Sequence, residues 1–419
     1  MNLEAVVNVL SNVAYVIERK RVSLDRAFTL VCRRIKCSTR ELTREDMYNI
    51  AHSFISNYIM VKNVVERIRK SYSYRMLARA FLYLKAQELG LRIDSKLRKS
   101  VRRDLPKIEE VYEELRSSEP WIALSYPRWL YEALLRVEDR SFVESMLDAM
   151  NRRVVWMRIN TLRIDLDKAL KILEKEGVRF EVDKRIPFLV KIVRSPKPVR
   201  NISLFRQGLA IIQDRASVLT VLALKPEPGM TIYDVAAAPG IKTSLIMQLT
   251  ENRARIVAID LSLRRLMNMK KLLKKYGVDI DRVELVLADS KTFAFARRAD
   301  AALVDAPCSS SGAVPKDPSI KIFLRSERVP MKMSTIQFGM LKNVAKYVDI
   351  ITYATCSILP IEGEEVVMKL LNEGVEHKPV DPRIPASRGY RSYSVWNVVA
   401  RTYPHIDQCE GFFIARLEK

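Results

Sequence analysis

Two cysteines stand where apolar, strand-like runs give way to polar turns: Cys308 within Asp305-Ala-Pro-Cys-Ser-Ser-Ser-Gly312 and Cys356 within Tyr353-Ala-Thr-Cys-Ser357. Upstream, a turn with one glycine and one proline reads Asp234-Val-Ala-Ala-Ala-Pro-Gly-Ile-Lys-Thr243. The thiolate is the reactive form of cysteine, so thiols following such a turn point to a nucleophile beside a bound cofactor. A single cysteine is more often a small buried hydrophobe. Here Pro307, Ser309, Thr355 and Ser357 flank the thiols, which argues against a purely apolar setting. Free cysteine has a pKa of about 8.5, so a reactive one needs a positive field or a helix amino terminus, and Lys242 is a candidate source of that field.

The elements that must carry these residues alternate. Apolar strands are expected at 231–236, 255–260, 283–289, 299–305 and 349–354, separated by helical patterns such as 263–276, with a last strand at 411–417. This alternation predicts an α/β fold with a doubly wound, mostly parallel sheet. Ligands of such sheets bind beyond the carboxyl ends of the strands. The strands end at Asp234 and its turn, Asp260, Asp289, Asp305 to Cys308, and Thr355 to Ser357, so five ends converge on one crevice. The turn lacks the three glycines of a dinucleotide fingerprint and the Gly-Lys pair of a phosphate loop. Its one glycine, Gly240, still permits close backbone approach, and Asp260 follows at about the 20-residue spacing of a ribose-binding carboxylate. A nucleoside cofactor without a pyrophosphate fits, S-adenosyl-L-methionine among them, with Asp289 accepting from the adenine amino group. Each aspartate alone would be read as a helix cap.

The 419 residues carry a formal net charge of +23 and a pI near 9.8, which favours a polyanionic partner, nucleic acid first. The alternative is a surface of many solvated lysines, as in proteins from hot environments. Length favours two or three domains. Residues 1–118 read as helical throughout, with capping-box spacings at Ser38/Glu41 and Thr43/Asp46 that put a helix start near Thr43. Residues 119–205 read as a small α+β module, and 206–419 as the α/β domain. Cys32, Cys37, Cys308, Cys356 and Cys409 fit neither a disulfide framework nor zinc spacing, and His52, His377 and His405 are isolated, so free thiols and no metal are expected. With no signal-peptide pattern and no apolar run near the roughly 18 residues of a membrane span, a cytoplasmic protein without membrane association is expected.

The motifs together resemble the RsmB/NSUN (Sun/Fmu-like) family of RNA cytosine-5 methyltransferases. The resemblance rests on the Asp234–Thr243 turn, the Asp-Ala-Pro-Cys and Thr-Cys-Ser motifs, Ser125-Tyr-Pro-Arg-Trp-Leu130, Arg158-Ile-Asn-Thr161, Gln213-Asp214, 312–321 and Gly411-Phe-Phe413. It implies a Rossmann-like class I methyltransferase domain, preceded by an RRM-like module and a NusB-like helical domain, acting as a monomer on structured rRNA or tRNA. It implies S-adenosyl-L-methionine bound by Ala236, Ala237, Ala238, Pro239, Gly240, Ile241, Lys242, Asp260, Asp289 and Asp305. It assigns Cys356 as the nucleophile that adds to carbon-6 of cytosine and so activates carbon-5. Cys308 then assists proton removal and product release, and Asp305 holds or protonates the base edge. Lys242 completes the catalytic set.

Lys316, Lys321, Arg325 and Arg328, just after the Cys308 motif, are expected to hold RNA phosphates near a flipped base, the alternative being an ordinary mobile loop. The chain departs from the family pattern at Ala236, at Ile241, whose side chain would crowd the methionine moiety, and in Pro360-Ile-Glu-Gly-Glu364. These departures motivate the alternative of a catalytically weak RNA-binding assembly factor. Amino-group methylation of adenine is disfavoured because Asp305-Ala-Pro-Cys308 lacks a stacking aromatic, and a dehydrogenase by the missing glycines.

Overall fold

The structure is a computed structural model that describes residues 3–419. Compactness divides the chain into two units. One unit holds the chain up to Arg153 together with Ala313–Glu327; the other holds Val154–Gly312 and Arg328–Lys419.

The first unit is helical. Apolar residues at helical spacing, such as Val6, Leu10, Val13 and Ile17 of the helix Leu3–Lys20, bury against Ala51, Phe54 and Ile55 of Arg44–Ser56 and Phe81 of Tyr74–Lys85 in one core. Thr43 caps Arg44–Ser56 in a reciprocal capping box with Asp46, as the spacing predicts; no helix starts at Ser38. Cys32 and Cys37 are not free thiols: the turn after Leu24–Val31 brings their Cα atoms to 5.4 Å and they form a disulfide. Spacing rules that look for multi-bridge frameworks do not register so local a pair. Lys321 is not a phosphate contact: it is buried, donating to Ser56 O at 2.5 Å and Asn151 Oδ1 at 2.6 Å and lying 3.9 Å from the Tyr126 ring centre. Burial without a carboxylate partner at hydrogen-bond distance pushes its ammonium well below the usual lysine range. The segment carrying it is fixed further by His52 Nε2 to Pro315 O at 2.9 Å and by Leu24 N donating to Asp317 Oδ1 at 3.1 Å.

In the second unit, β1 (Trp156–Ile159), β2 (Arg179–Val182), β3 (Leu189–Arg194) and β4 (Ala210–Ile212) form an antiparallel sheet ordered β2-β3-β1-β4. The larger sheet contains β5 (Thr231–Val235), β6 (Arg255–Asp260), β7 (Val283–Leu287), β8 (Ala299–Asp305) and β9 (Val348–Thr355) in parallel. It also holds the short strands β10 (Lys378–Val380), β11 (Ser387–Arg388) and β12 (Ala400–Thr402), and β13 (Phe412–Glu418), antiparallel to β9. The order is β11-β12-β13-β9-β8-β5-β6-β7. From β5 the chain winds outward through β6 and β7, then returns to β8 on the other side, so the switch point lies between β5 and β8. Both faces of this sheet are covered by apolar clusters, which is why its strands read as near-continuous hydrophobic runs.

Among the described residues, no helix is long and apolar enough to cross a membrane, and no group of three or more His, Cys, Asp or Glu is arranged to hold a metal ion.

Candidate active site

The turn after β5 is built from backbone. Ala236 (φ 73°) and Gly240 (φ 93°) both take left-handed conformations, and Gly240 precedes the helix Ile241–Leu249. A Cβ at Gly240 would lie 2.7 Å from Met269 Cγ, so only glycine fits without displacing that side chain. The N–H groups of Ala236 and Ala237 both donate to Ile259 O at 2.9 Å. Asp260, at the end of β6, accepts from Ala238 N at 3.3 Å and Ser262 N at 3.0 Å and pairs with Arg265 at 3.1 Å, so it braces the turn. Ile241 packs against the apolar cluster of the second unit.

Two exposed apolar residues lie beside this turn. Leu261, just past β6, is 71% exposed, and Leu287, which pairs with Asp260 across β6 and β7, is 55% exposed. An acidic strand end, a close-approach turn and open apolar side chains together fit the ribose and flat base of a nucleoside cofactor such as S-adenosyl-L-methionine. Asp289 serves its own turn: it accepts from Lys291 N at 3.0 Å and pairs with Lys291 Nζ at 3.4 Å.

Across the switch point, Lys242 Nζ meets Asp305 Oδ2 at 2.5 Å, tying the helix after β5 to the end of β8. Asp305 pairs in register with Ala354, so the residues that follow on β8 and β9 run side by side into the two thiol turns. There Cys308 Sγ and Cys356 Sγ lie 3.0 Å apart, both partly exposed, and the Cys356 thiol donates to Ser310 Oγ at 3.6 Å. The hydrogen bond with Cys356, burial, and repulsion from Cys356 once it ionises and from Glu362 hold Cys308 well above the ordinary thiol range. One sulfur thus keeps its proton beside another that can act as nucleophile. The turns approach the amino end of β13 closely: Gly411 N donates to Gly312 O at 2.9 Å, and a Cβ on Gly312 would lie 1.8 Å from Gly411 O.

The comparisons with known proteins bear on this arrangement. Residues 221–418 match the family model described as 16S rRNA methyltransferase RsmB/F, and residues 126–199 match the RsmF/B-like ferredoxin-like domain. Residues 126–199 and 221–418 are thus similar to the two domains of the RsmB/F methyltransferase family. The chain's relatives include the ribosomal RNA small subunit methyltransferase B of Cronobacter sakazakii, 28% identical over 301 residues. That match covers 70% of this chain and 66% of the relative, so the chain spans just under two thirds of that length. Among solved structures, PH0851 has a TM-score of 0.79 at 24% identity, covering 99% of both chains. NSun6 from Pyrococcus horikoshii, solved with SFG, has a TM-score of 0.64 at 22% identity, covering 70% of this chain and 98% of its own. Both share the fold.

Of the residues the sequence singles out, the structure gathers Lys242 with Asp305 and Cys308 with Cys356, and it sets Asp260 under the turn of Ala236–Gly240. Asp289 is held in its own turn, and the thiols have no direct contact with Lys242 among the hydrogen bonds and ion pairs of the described residues. Asp234 was missed as a site residue. It is fully buried, accepts from the Thr243 hydroxyl at 2.6 Å, and is pushed up to about 7 chiefly by burial, with Asp305 and Asp260 adding and Thr243 and Lys242 opposing. Its spacing to Thr243 is visible in sequence; its burial is not. Ser310, at φ 58°, was also missed, because nothing distinguishes it from Ser309 and Ser311 except a fold that turns it toward Cys356.

Proposed function

We propose that the protein transfers a methyl group from S-adenosyl-L-methionine to carbon-5 of a cytosine in structured RNA. The family's description favours ribosomal small-subunit RNA over transfer RNA. The observation that carries the reading is the pair of facing sulfurs at the carboxyl ends of β8 and β9, next to the switch point where a cofactor binds.

Carbon-5 of cytosine is a weak nucleophile. Cys356 adds to carbon-6, which makes an enamine whose carbon-5 is nucleophilic; the cofactor, when bound, would supply the methyl as a sulfonium, the methyl–sulfur bond breaking to leave S-adenosylhomocysteine. Once Cys356 ionises, the Ser310 hydroxyl can reverse its hydrogen bond and donate to the thiolate. Asp305, held by Lys242, is the group assigned to the ring edge, where it would offset the charge that develops during addition. Removal of the carbon-5 proton then expels Cys356, and Cys308 is the group beside it to move protons in that step. Ala236–Lys242, Asp260, Asp289 and Asp305 form the cofactor's side of the crevice. Such chemistry needs the base out of its stack.

Incubation of unmethylated ribosomal RNA with methyl-labelled cofactor tests the reading. Label is expected in 5-methylcytosine and is expected to vanish with Cys356→Ala. Label in another base, or full activity of that variant, overturns it.

A further inference from the structure

Each thiol is followed in the chain by a serine, and a single buried carboxylate receives both serines. Glu362, with no exposed surface, ends the short helical turn Pro360–Glu362. Its Oε1 accepts from Ser309 N at 2.8 Å and from Gln337 Nε2 at 3.1 Å. Its Oε2 accepts from the hydroxyls of Ser309 at 2.5 Å and Ser357 at 2.6 Å. Its carbonyl oxygen accepts from the hydroxyls of Tyr353 at 2.7 Å and Thr355 at 3.1 Å, the outgoing residues of β9. The hydroxyls of Ser311 and Ser357 add a direct link of 2.9 Å between the two thiol turns.

Burying a carboxylate is costly, and for stability alone an apolar residue of similar size often serves as well. An apolar residue cannot hold two separate turns at set distances, whereas charge-assisted hydrogen bonds are short and directional. All four donors to the Glu362 carboxylate are neutral groups, so its negative charge stays beside the sulfurs. That charge contributes to keeping the proton on Cys308.

We propose that Glu362 is the positioning residue for both sulfurs: it locks the Cys308 turn to the Cys356 turn, so that the two thiols stay within proton-transfer reach. The purpose of this lock rests on the methyl-transfer reading above, but its test uses no methyl transfer, so either can fail alone.

The probe is phenylarsine oxide, which bridges two neighbouring thiols with loss of water. It is titrated against the reduced full-length chain in a Cys32→Ser, Cys37→Ser background, which removes the other pair able to bind it. A second readout is the pH profile of iodoacetamide alkylation at Cys308, followed by peptide mass spectrometry, with buried Cys409 as a monitor of general loosening. Glu362→Ala is expected to weaken arsenical binding about tenfold or more while Cys409 stays unreactive. Glu362→Gln, which keeps the shape and removes the charge, is expected to shift alkylation of Cys308 to lower pH, and it decides alone should the alanine variant not fold. Unchanged arsenical affinity and pH profile would overturn the proposal, as would thiol changes that appear only in step with alkylation of Cys409.

Discussion

Asp234 lets the interior of the site be read as a dependence on pH. Its carboxyl is about 1% exposed and is raised from 3.8 to about 7, with burial the leading cause. A carboxyl whose pKa is raised in the folded state binds its proton more tightly there. Its contribution to stability is therefore complete below the unfolded value of 3.8 and is lost as pH rises through 7. A shift of this size corresponds to about 4 kcal/mol lost across that window, at roughly 1.4 kcal/mol per unit. Asp234→Asn keeps an oxygen to accept from Thr243 but cannot ionise. The buried amide it introduces adds an offset of about 1–3 kcal/mol that does not depend on pH. Urea unfolding of both proteins between pH 4.5 and 8 is the assay, the range being chosen to bracket the folded value of about 7. The stability of the parent is expected to fall relative to the variant as pH rises, by most of that 4 kcal/mol estimate. Parallel curves would refute the upward shift of Asp234 in the folded state.

Other outcomes follow from the same geometry. Cys308→Ala is expected to trap a covalent complex between RNA and Cys356 that survives a denaturing gel; slowed turnover without the trapped species would speak against Cys308 in release. Arg401, 1% exposed at its side chain, pairs with buried Glu364 at 2.6 Å and donates to Ser357 O at 3.0 Å. Arg401→Met is expected to cost about 3–5 kcal/mol in urea unfolding, because it strands the Glu364 charge, and restoration by Glu364→Gln in the same chain is the check. Gly312→Ala pushes a methyl into Gly411 O, and a loss of at least about 1–3 kcal/mol is expected; an unchanged unfolding midpoint would mean that the two turns are not in contact.

The large sheet was legible because its strands are buried on both faces and read as continuous apolar runs, and β6 and β8 fall where the sequence puts them. The strand expected at 283–289 stops at Leu287, since Asp289 turns the chain by accepting from Lys291 N. The thiols, Lys242 and Asp305 were legible because they lie within a few residues of strand ends, where topology alone brings them together. Lys321 was misread because a basic run looks alike whether it faces water or a set of carbonyl oxygens. Glu362 stood in plain view in the motif after Cys356, but its role depends on Ser309, which is 53 residues away. The pairing of Cys32 with Cys37 depends on the path of one short turn.

The assignment of Ala313–Glu327 to the helical unit has a practical cost for dissection of the molecule. A fragment cut to begin at Val154 would still contain Lys321 but would have discarded Ser56, Leu124 and Asn151, the oxygens that solvate its ammonium. Ile322 would likewise lose the helical core it is buried in. Trimming away the amino-terminal helices is thus not a clean excision, since it orphans a piece of their interior and leaves it hanging directly downstream of the Cys308 turn.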